Sequence, residues 1–270
     1  PATRRSARSR DRRPLLLDVL HSEWTKLRSV RSTYWTLLAA AAVTIGLGAI
    51  LSVFYIHNYT TMSAADWAGF EPTSYALSGL FLAQLAIGVL GALVITSEYG
   101  TGMIRTTFAV VPQRRLVLGA KALVFTAVTG VTGVVSCLVG FFLSQAILST
   151  HHLQTTIGAP GVLRAVIGGG LYLAVLGLLA FGIGAIIRHT AGAISAVFGL
   201  VLVVPTIALF LPSSWSNEIS PYLPSNAGRA VFSVGHQAHT LAPWTGLAVF
   251  CAYAVIALLV AGFLLTRRDA

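Results

Sequence analysis

Six long intervals of this chain are almost free of charge, and they leave it few folds to choose from. No Asp, Glu, Lys or Arg occurs from Ser32 to Ala65, Pro72 to Ser97, Ala122 to Leu163, Ala165 to Ile187 or Ala230 to Thr266, and Glu218 alone interrupts the stretch between His189 and Gly228. A helix needs about 20 mostly apolar residues to cross a hydrocarbon core roughly 30 Å thick. Each interval can therefore hold a span. In lipid the backbone polar groups must be satisfied within the segment or in a closed barrel. Continuous apolar runs, without the in/out alternation of barrel strands, select helices. The expected class is all-α, a polytopic membrane protein. Only 10% of the 270 residues are charged, against about a quarter in a soluble domain.

The spans are expected at about Tyr34–Tyr55, Tyr75–Thr96, Gly119–Ile147, Val162–Ile187, Ala191–Leu211 and Trp244–Thr266, forming one transmembrane domain over 34–270. Between the fourth and fifth only Arg188, His189 and Thr190 break the hydrophobicity. About 50 apolar residues cannot cross as one helix, so a tight turn belongs there. Six spans place both termini on one side. Sixteen of the eighteen Lys and Arg residues fall on that side, and only Arg164 and Arg229 on the other. The positive-inside rule makes the rich side cytoplasmic, in the cell membrane. The net charge of +10 is then topological and is not a nucleic-acid signal.

Residues 1–13 read as a disordered basic tail attracted to the membrane. The long first apolar run, followed by five more, argues against a cleaved signal peptide. Over 14–33, Leu16, Leu20, Trp24 and Leu27 recur at helical spacing, with Asp18, Ser22, Lys26 and Arg28 on other faces. This predicts an amphipathic helix in the interface plane. Cys137 and Cys251 fall inside spans and read as small buried residues. The external segment 212–243 mixes apolar residues with Pro, Gly and Ser, and is expected to pack back as short helices.

After the second span comes Glu98-Tyr-Gly-Thr-Gly-Met-Ile-Arg105-Thr106, running on to Pro112, Arg114, Arg115 and Lys121. Met103, Ile104, Phe108 and Val111 share a helical face, predicting a short amphipathic helix ended by Pro112. Glu98 is a lone acid at the mouth of a neutral span. Such a residue is costly there and calls for a definite partner.

These residues resemble the first cytoplasmic loop of type-2 ATP-binding-cassette (ABC-2) exporter permeases. Ser22-Glu23-Trp-Thr-Lys26-Leu-Arg28, Arg188 with Ala191-Gly-Ala, Pro224-Ser-Asn-Ala-Gly and Arg267-Arg-Asp are also similar to that family's pattern. The resemblance implies a permease subunit of an ATP-driven exporter, not an enzyme. It implies a separate cytosolic ATP-binding-cassette ATPase carrying ATP and magnesium, a second permease copy, and no cofactor bound by this chain. The chain has no Gly-x-x-x-x-Gly-Lys-Ser/Thr run of its own. Glu98, Tyr99, Gly100, Thr101, Gly102, Arg105, Thr106, Pro112, Arg114 and Arg115 would form the ATPase-coupling loop. Glu23, Lys26 and Arg28 would be contacts of an N-terminal elbow helix, and segments between spans five and six an external gate.

Two other classes fit less well. A membrane-embedded enzyme needs clustered His, Asp, Glu or Cys at membrane depth, whereas His57, His151, His152, His236 and His239 are scattered outside the spans. An ion-coupled transporter usually needs carboxylates near the midplane, and spans two to six hold none there. Gly168-Gly-Gly170 lies within a span and is no phosphate cradle. Small residues in span three (Thr126/Gly130, Thr129/Gly133, Ser136/Gly140) invite close helix packing. Aliphatic spans with Gln84 and Gln145 suggest hydrophobic or amphiphilic cargo: a drug, peptide or lipid.

Overall fold

The computed structural model describes residues 16–58, 70–110, 113–235 and 239–267. The tail over 1–13, Pro112, Val111, His236 and Arg268 lie outside the described residues, as do the side chains of Arg105 and Phe108. Every regular element among the described residues is helical, and twelve of them are α-helices. They are α1 (Leu16–Ser29), α2 (Arg31–Asn58), α3 (Pro72–Ala76), α4 (Leu80–Gly100), α5 (Met103–Val110), α6 (Arg114–Leu148), α7 (Val162–Ile187), α8 (Thr190–Phe198), α9 (Val204–Ala208), α10 (Ser213–Ile219), α11 (Pro224–Arg229) and α12 (Pro243–Arg267). Six stretches are long and apolar enough to cross a membrane: Arg31–Asn58, Pro72–Gly100, Arg114–His151, Val162–Ile187, Thr190–Ala208 and Pro243–Arg267.

The spans run alternately up and down. Arg114 Nη1 donates to Leu265 O at 3.0 Å, and Thr190 Oγ1 to Thr96 Oγ1 at 3.0 Å. The starts of α2, α6 and α8 and the ends of α4, α7 and α12 therefore share one end of the bundle, here the basic end. The other is the far end.

Helix α7 is the central element, with 67% of its most apolar stretch buried, against 22% for α12. Its Gly168-Gly169-Gly170 run makes this possible. A Cβ on Gly168 would meet Val231 O, one on Gly169 the Leu80 and Cys137 side chains, and one on Gly170 the backbone of Val134. Three successive positions thus pack on three other segments, because a helix turns about 100° per residue. The span-three glycines answer from the other side, Gly133 against Gly170 and Gly130 against Ala174.

Several boundaries differ from those the sequence suggests. The second span begins as α3 and is interrupted at Leu77–Gly79 before α4, with Gly79 pressed so closely on the Thr44 and Val43 backbones that any side chain would collide. Helix α6 starts five residues earlier than expected and carries Arg114, Arg115 and Lys121 into the basic end. The fifth span contains a π-helical turn, Gly199–Val203, just before Pro205. Proline lacks an amide donor and clashes with the carbonyl four residues back, so the wider turn takes up the misfit. The tight turn after the fourth span is present: Arg188 is left-handed (φ 61°), and His189 caps α8 by accepting from Gly192 N at 3.3 Å.

Candidate functional site at the basic end

Helix α1 does not turn its Leu16/Trp24 stripe toward the protein. Val19 and Glu23 are the buried residues, at 3% and 2% exposure, while Leu16, Leu17 and Trp24 are exposed. Val19 packs with Val117 and Ala120 of α6. One turn further along α1, Glu23 enters a pocket of charge. Of the apolar stripe, Leu16 and Trp24 thus stay exposed, while Leu20 and Leu27 pack partly against the protein.

Lys121, on α6, is the centre of that charge. Its Nζ lies 2.6 Å from Glu23 Oε2 and 2.6 Å from Glu98 Oε1 at the end of α4. Lys26 Nζ lies 2.8 Å from Glu23 Oε1 and 3.9 Å from Glu98 Oε1. Two carboxylates and two ammoniums make the group neutral. Glu23, Glu98 and Lys121 are all under 10% exposed. Taking such ions out of water costs several kcal/mol each, which only close mutual pairing offsets. The cluster consequently pins α1, α4 and α6 in one register.

The short helix expected after the second span is present as α5; of its expected apolar face Ile104 is buried and Met103 exposed, and the Phe108 side chain, Val111 and Pro112 lie outside the described residues. Thr101 closes α4, its Oγ1 donating to Ser97 O at 2.8 Å. Gly102 then takes φ +71°, a conformation that side chains resist. This redirects the chain into α5. Ile104 is the helix's buried anchor (4% exposed), packed among Leu90, Ile95 and Leu118, while Met103 and Thr106 are exposed. Lys26 Nζ reaches Thr107 Oγ1 at 3.4 Å, joining α5 to the ion cluster.

The expected site residues therefore divide into an internal joint and an outward surface. Glu23, Lys26 and Glu98 belong to the joint. Tyr99 is half-buried beneath the Arg188 guanidinium, 5.0 Å from the ring centroid. Arg114 holds the last turn of α12. Gly100, Thr101, Thr106, Arg115 and Arg28 are exposed. Arg105 lies on α5. Lys121 and Arg188 also belong to this end's charge arrangement, although the family resemblance assigns them no role in the coupling loop or elbow. A signal for them existed: each is a lone base beside a neutral span, and a buried base needs a partner.

At the far end the expected short helices are α10, which is largely exposed, and α11, which packs back into the bundle. Pro224, Ser225, Ala227 and Gly228 of α11 are buried, and Arg164 Nη1 and Nη2 bind the carbonyls of Val231 and Ser233 at 3.1 and 3.0 Å. His151, His152 and His239 are exposed. Among the described residues no three His, Cys, Asp or Glu side chains gather as a metal site would require.

No curated protein matches this chain. The family model for ABC-2 family transporter proteins matches residues 19–206, well over half of the chain. The matched region runs from Val19, the first buried residue of α1, to Thr206 in α9. It takes in Glu23, Glu98, Lys121 and the whole of α5. With six membrane-length helices around that joint, the chain belongs to the ABC-2 transporter family and is a membrane permease component of an ABC transporter.

Proposed function

We propose that this permease is the membrane half of an ATP-driven exporter of a hydrophobic or amphiphilic compound, seated in the plasma membrane with both termini and the basic end in the cytoplasm. A separate ATP-binding-cassette ATPase, holding ATP and magnesium, docks on α5, and a second permease copy completes the pathway. Helix α1 is the elbow, lying along the interface with Leu16, Leu17 and Trp24 toward lipid. One observation carries the reading. An exposed, Gly-hinged helix stands at the end of a span and is bound by Ile104 and the Lys26–Thr107 contact to a buried ion joint that spans three helices. Movement of α5 must then be shared with α1, α4 and α6, which is the requirement for transmitting nucleotide-driven closure.

The partner is tested by purifying the complex from native membranes and assaying ATP turnover before and after the subunits are separated. Hydrolysis should follow a second polypeptide, and a Thr106→Cys chain should cross-link to it. Turnover by the isolated permease would overturn the division of labour.

A further inference from the structure

The far end holds a cavity of about 350 Å³ between the α3–α4 junction, α7 and α11. Its lining combines Leu77, Leu80, Phe81 and Phe232 with Gln84, Tyr172 and Arg229. The Tyr172 hydroxyl, on a side chain 1% exposed, donates to Gln84 Oε1. That bond fixes the amide and leaves Gln84 Nε2 buried with no acceptor. A buried donor left in this state is unfavourable, so it invites a ligand atom.

Arg229, half-buried, adds a positive charge to the same wall. The two far-end arginines are used differently. Arg164 directs its guanidinium onto backbone carbonyls. Arg229 instead lies over the Phe81 ring, 5.5 Å from the centroid, and beside Tyr172. Among the described residues no carboxylate comes within ion-pair distance of it. Glu71, on this flank of the molecule, spends Oε2 on Ser74 N and Oγ at 2.7 and 3.0 Å. A guanidinium carries five donors in a fork suited to carboxylate or phosphate oxygens. The wall therefore presents donors and positive charge to a space whose other lining is apolar, with room for a small headgroup and a few methylenes.

We propose that this pocket binds an anionic group, phosphate or carboxylate, through Arg229 and the free amide of Gln84, with Leu77, Leu80 and Phe232 receiving an attached apolar chain. Such a ligand would be an anionic headgroup borne by an amphiphile or a small free anion. The binding itself does not depend on an ATPase, so it stands or falls separately from the exporter reading.

The test is calorimetric titration of the purified chain in phosphatidylcholine nanodiscs with dodecyl phosphate and with inorganic phosphate, dodecyl maltoside serving as the uncharged control. Dodecyl phosphate should saturate at one per chain. Arg229→Gln should weaken it about tenfold or more, since one charge-assisted hydrogen bond has that worth. Arg229→Lys should keep much of the affinity, and Arg31→Gln all of it. Saturation by dodecyl phosphate alone assigns an amphiphile headgroup, and equal saturation by inorganic phosphate assigns a free anion. Should Arg229→Gln fail to fold, Gln84→Leu provides the same comparison, with a several-fold loss expected. The proposal is wrong if neither phosphate saturates, if dodecyl maltoside binds as tightly, or if folded Arg229→Gln and Gln84→Leu both bind unchanged.

Discussion

Lys121 and Glu98 meet at 2.6 Å, 23 positions apart in sequence, at the point where α4 ends and α6 is about to enter the apolar bundle. The same ammonium holds Glu23 of α1 at an equal distance. One base thus compensates two acids on two other helices. Removing either partner strands charge where water scarcely reaches.

Lys121→Met should therefore be severely destabilising, by about 3–5 kcal/mol, because it leaves two buried carboxylates with Lys26 alone. Lys121→Met combined with Glu98→Gln restores balance, since Glu23 keeps Lys26 at 2.8 Å. That double variant should recover much of the loss. Thermal unfolding in detergent of the two single variants and the double variant measures the coupling. Strictly additive effects would show that the cluster is not an energetic unit.

Glycine packing gives a second contrast. A Cβ at Gly170 would collide with the Val134 backbone, whereas at Gly262 of α12 it would meet nothing within 4 Å. Gly170→Ala should cost about 1–3 kcal/mol by forcing α6 and α7 apart. Gly262→Ala should be neutral or slightly stabilising, since Ala is the better helix former by up to about 1 kcal/mol. The same unfolding assay reads both, and equal effects would refute the close approach as the cause.

The orientation proposed from charge is open to labelling with a membrane-impermeant maleimide on intact cells. Cysteines at Gln154 and Asn217, both exposed at the far end, should react from outside. Those at Thr106 and Arg115 should react only after permeabilisation. Ser225 is a poor reporter despite its place in the far-end segment, because it is fully buried. Reaction of Thr106→Cys and Gln154→Cys from the same side would overturn the six-span topology.

The spans and α5 were legible in the sequence because each rests on local signals. Long neutral runs announce membrane spans, and the apolar spacing from Met103 announces a short helix, although of Met103 and Ile104 only the second is buried. The ion joint was half legible. Glu98 stood out as an acid that needed a partner, but its partners Lys121 and Lys26 come from 23 residues ahead and 72 behind, and no periodicity links them. Helix α1 was legible as a helix, but its apolar spacing does not announce that the acid Glu23 is buried. Here Leu16 and Trp24 face out, and Glu23 turns inward to meet Lys121. The Pro205 turn shows a third limit: proline announces a disturbance, but the surrounding packing decides between a kink and a widened turn.

The joint also separates two effects that the sequence alone would merge. With Glu98 as an exposed docking group, Glu98→Ala should spare expression and damage only transport. The carboxylate is instead paired with Lys121 and 8% exposed, so Glu98→Ala should lower stability first, and transport in proportion. Thr106 is exposed on α5, and Arg105 precedes it on the same helix. Thr106→Asp and Arg105→Ala should leave unfolding of the isolated permease unchanged. They should nevertheless reduce transport and substrate-stimulated ATP hydrolysis together, about ten- to a hundredfold if one charge-assisted contact of roughly 1.5–3 kcal/mol is lost at the ATPase. Parallel measurement of melting temperature, transport and hydrolysis distinguishes the two classes. Full transport by both α5 variants, with loss confined to Glu98→Ala, would move the docking surface off α5 and onto the exposed face of α1.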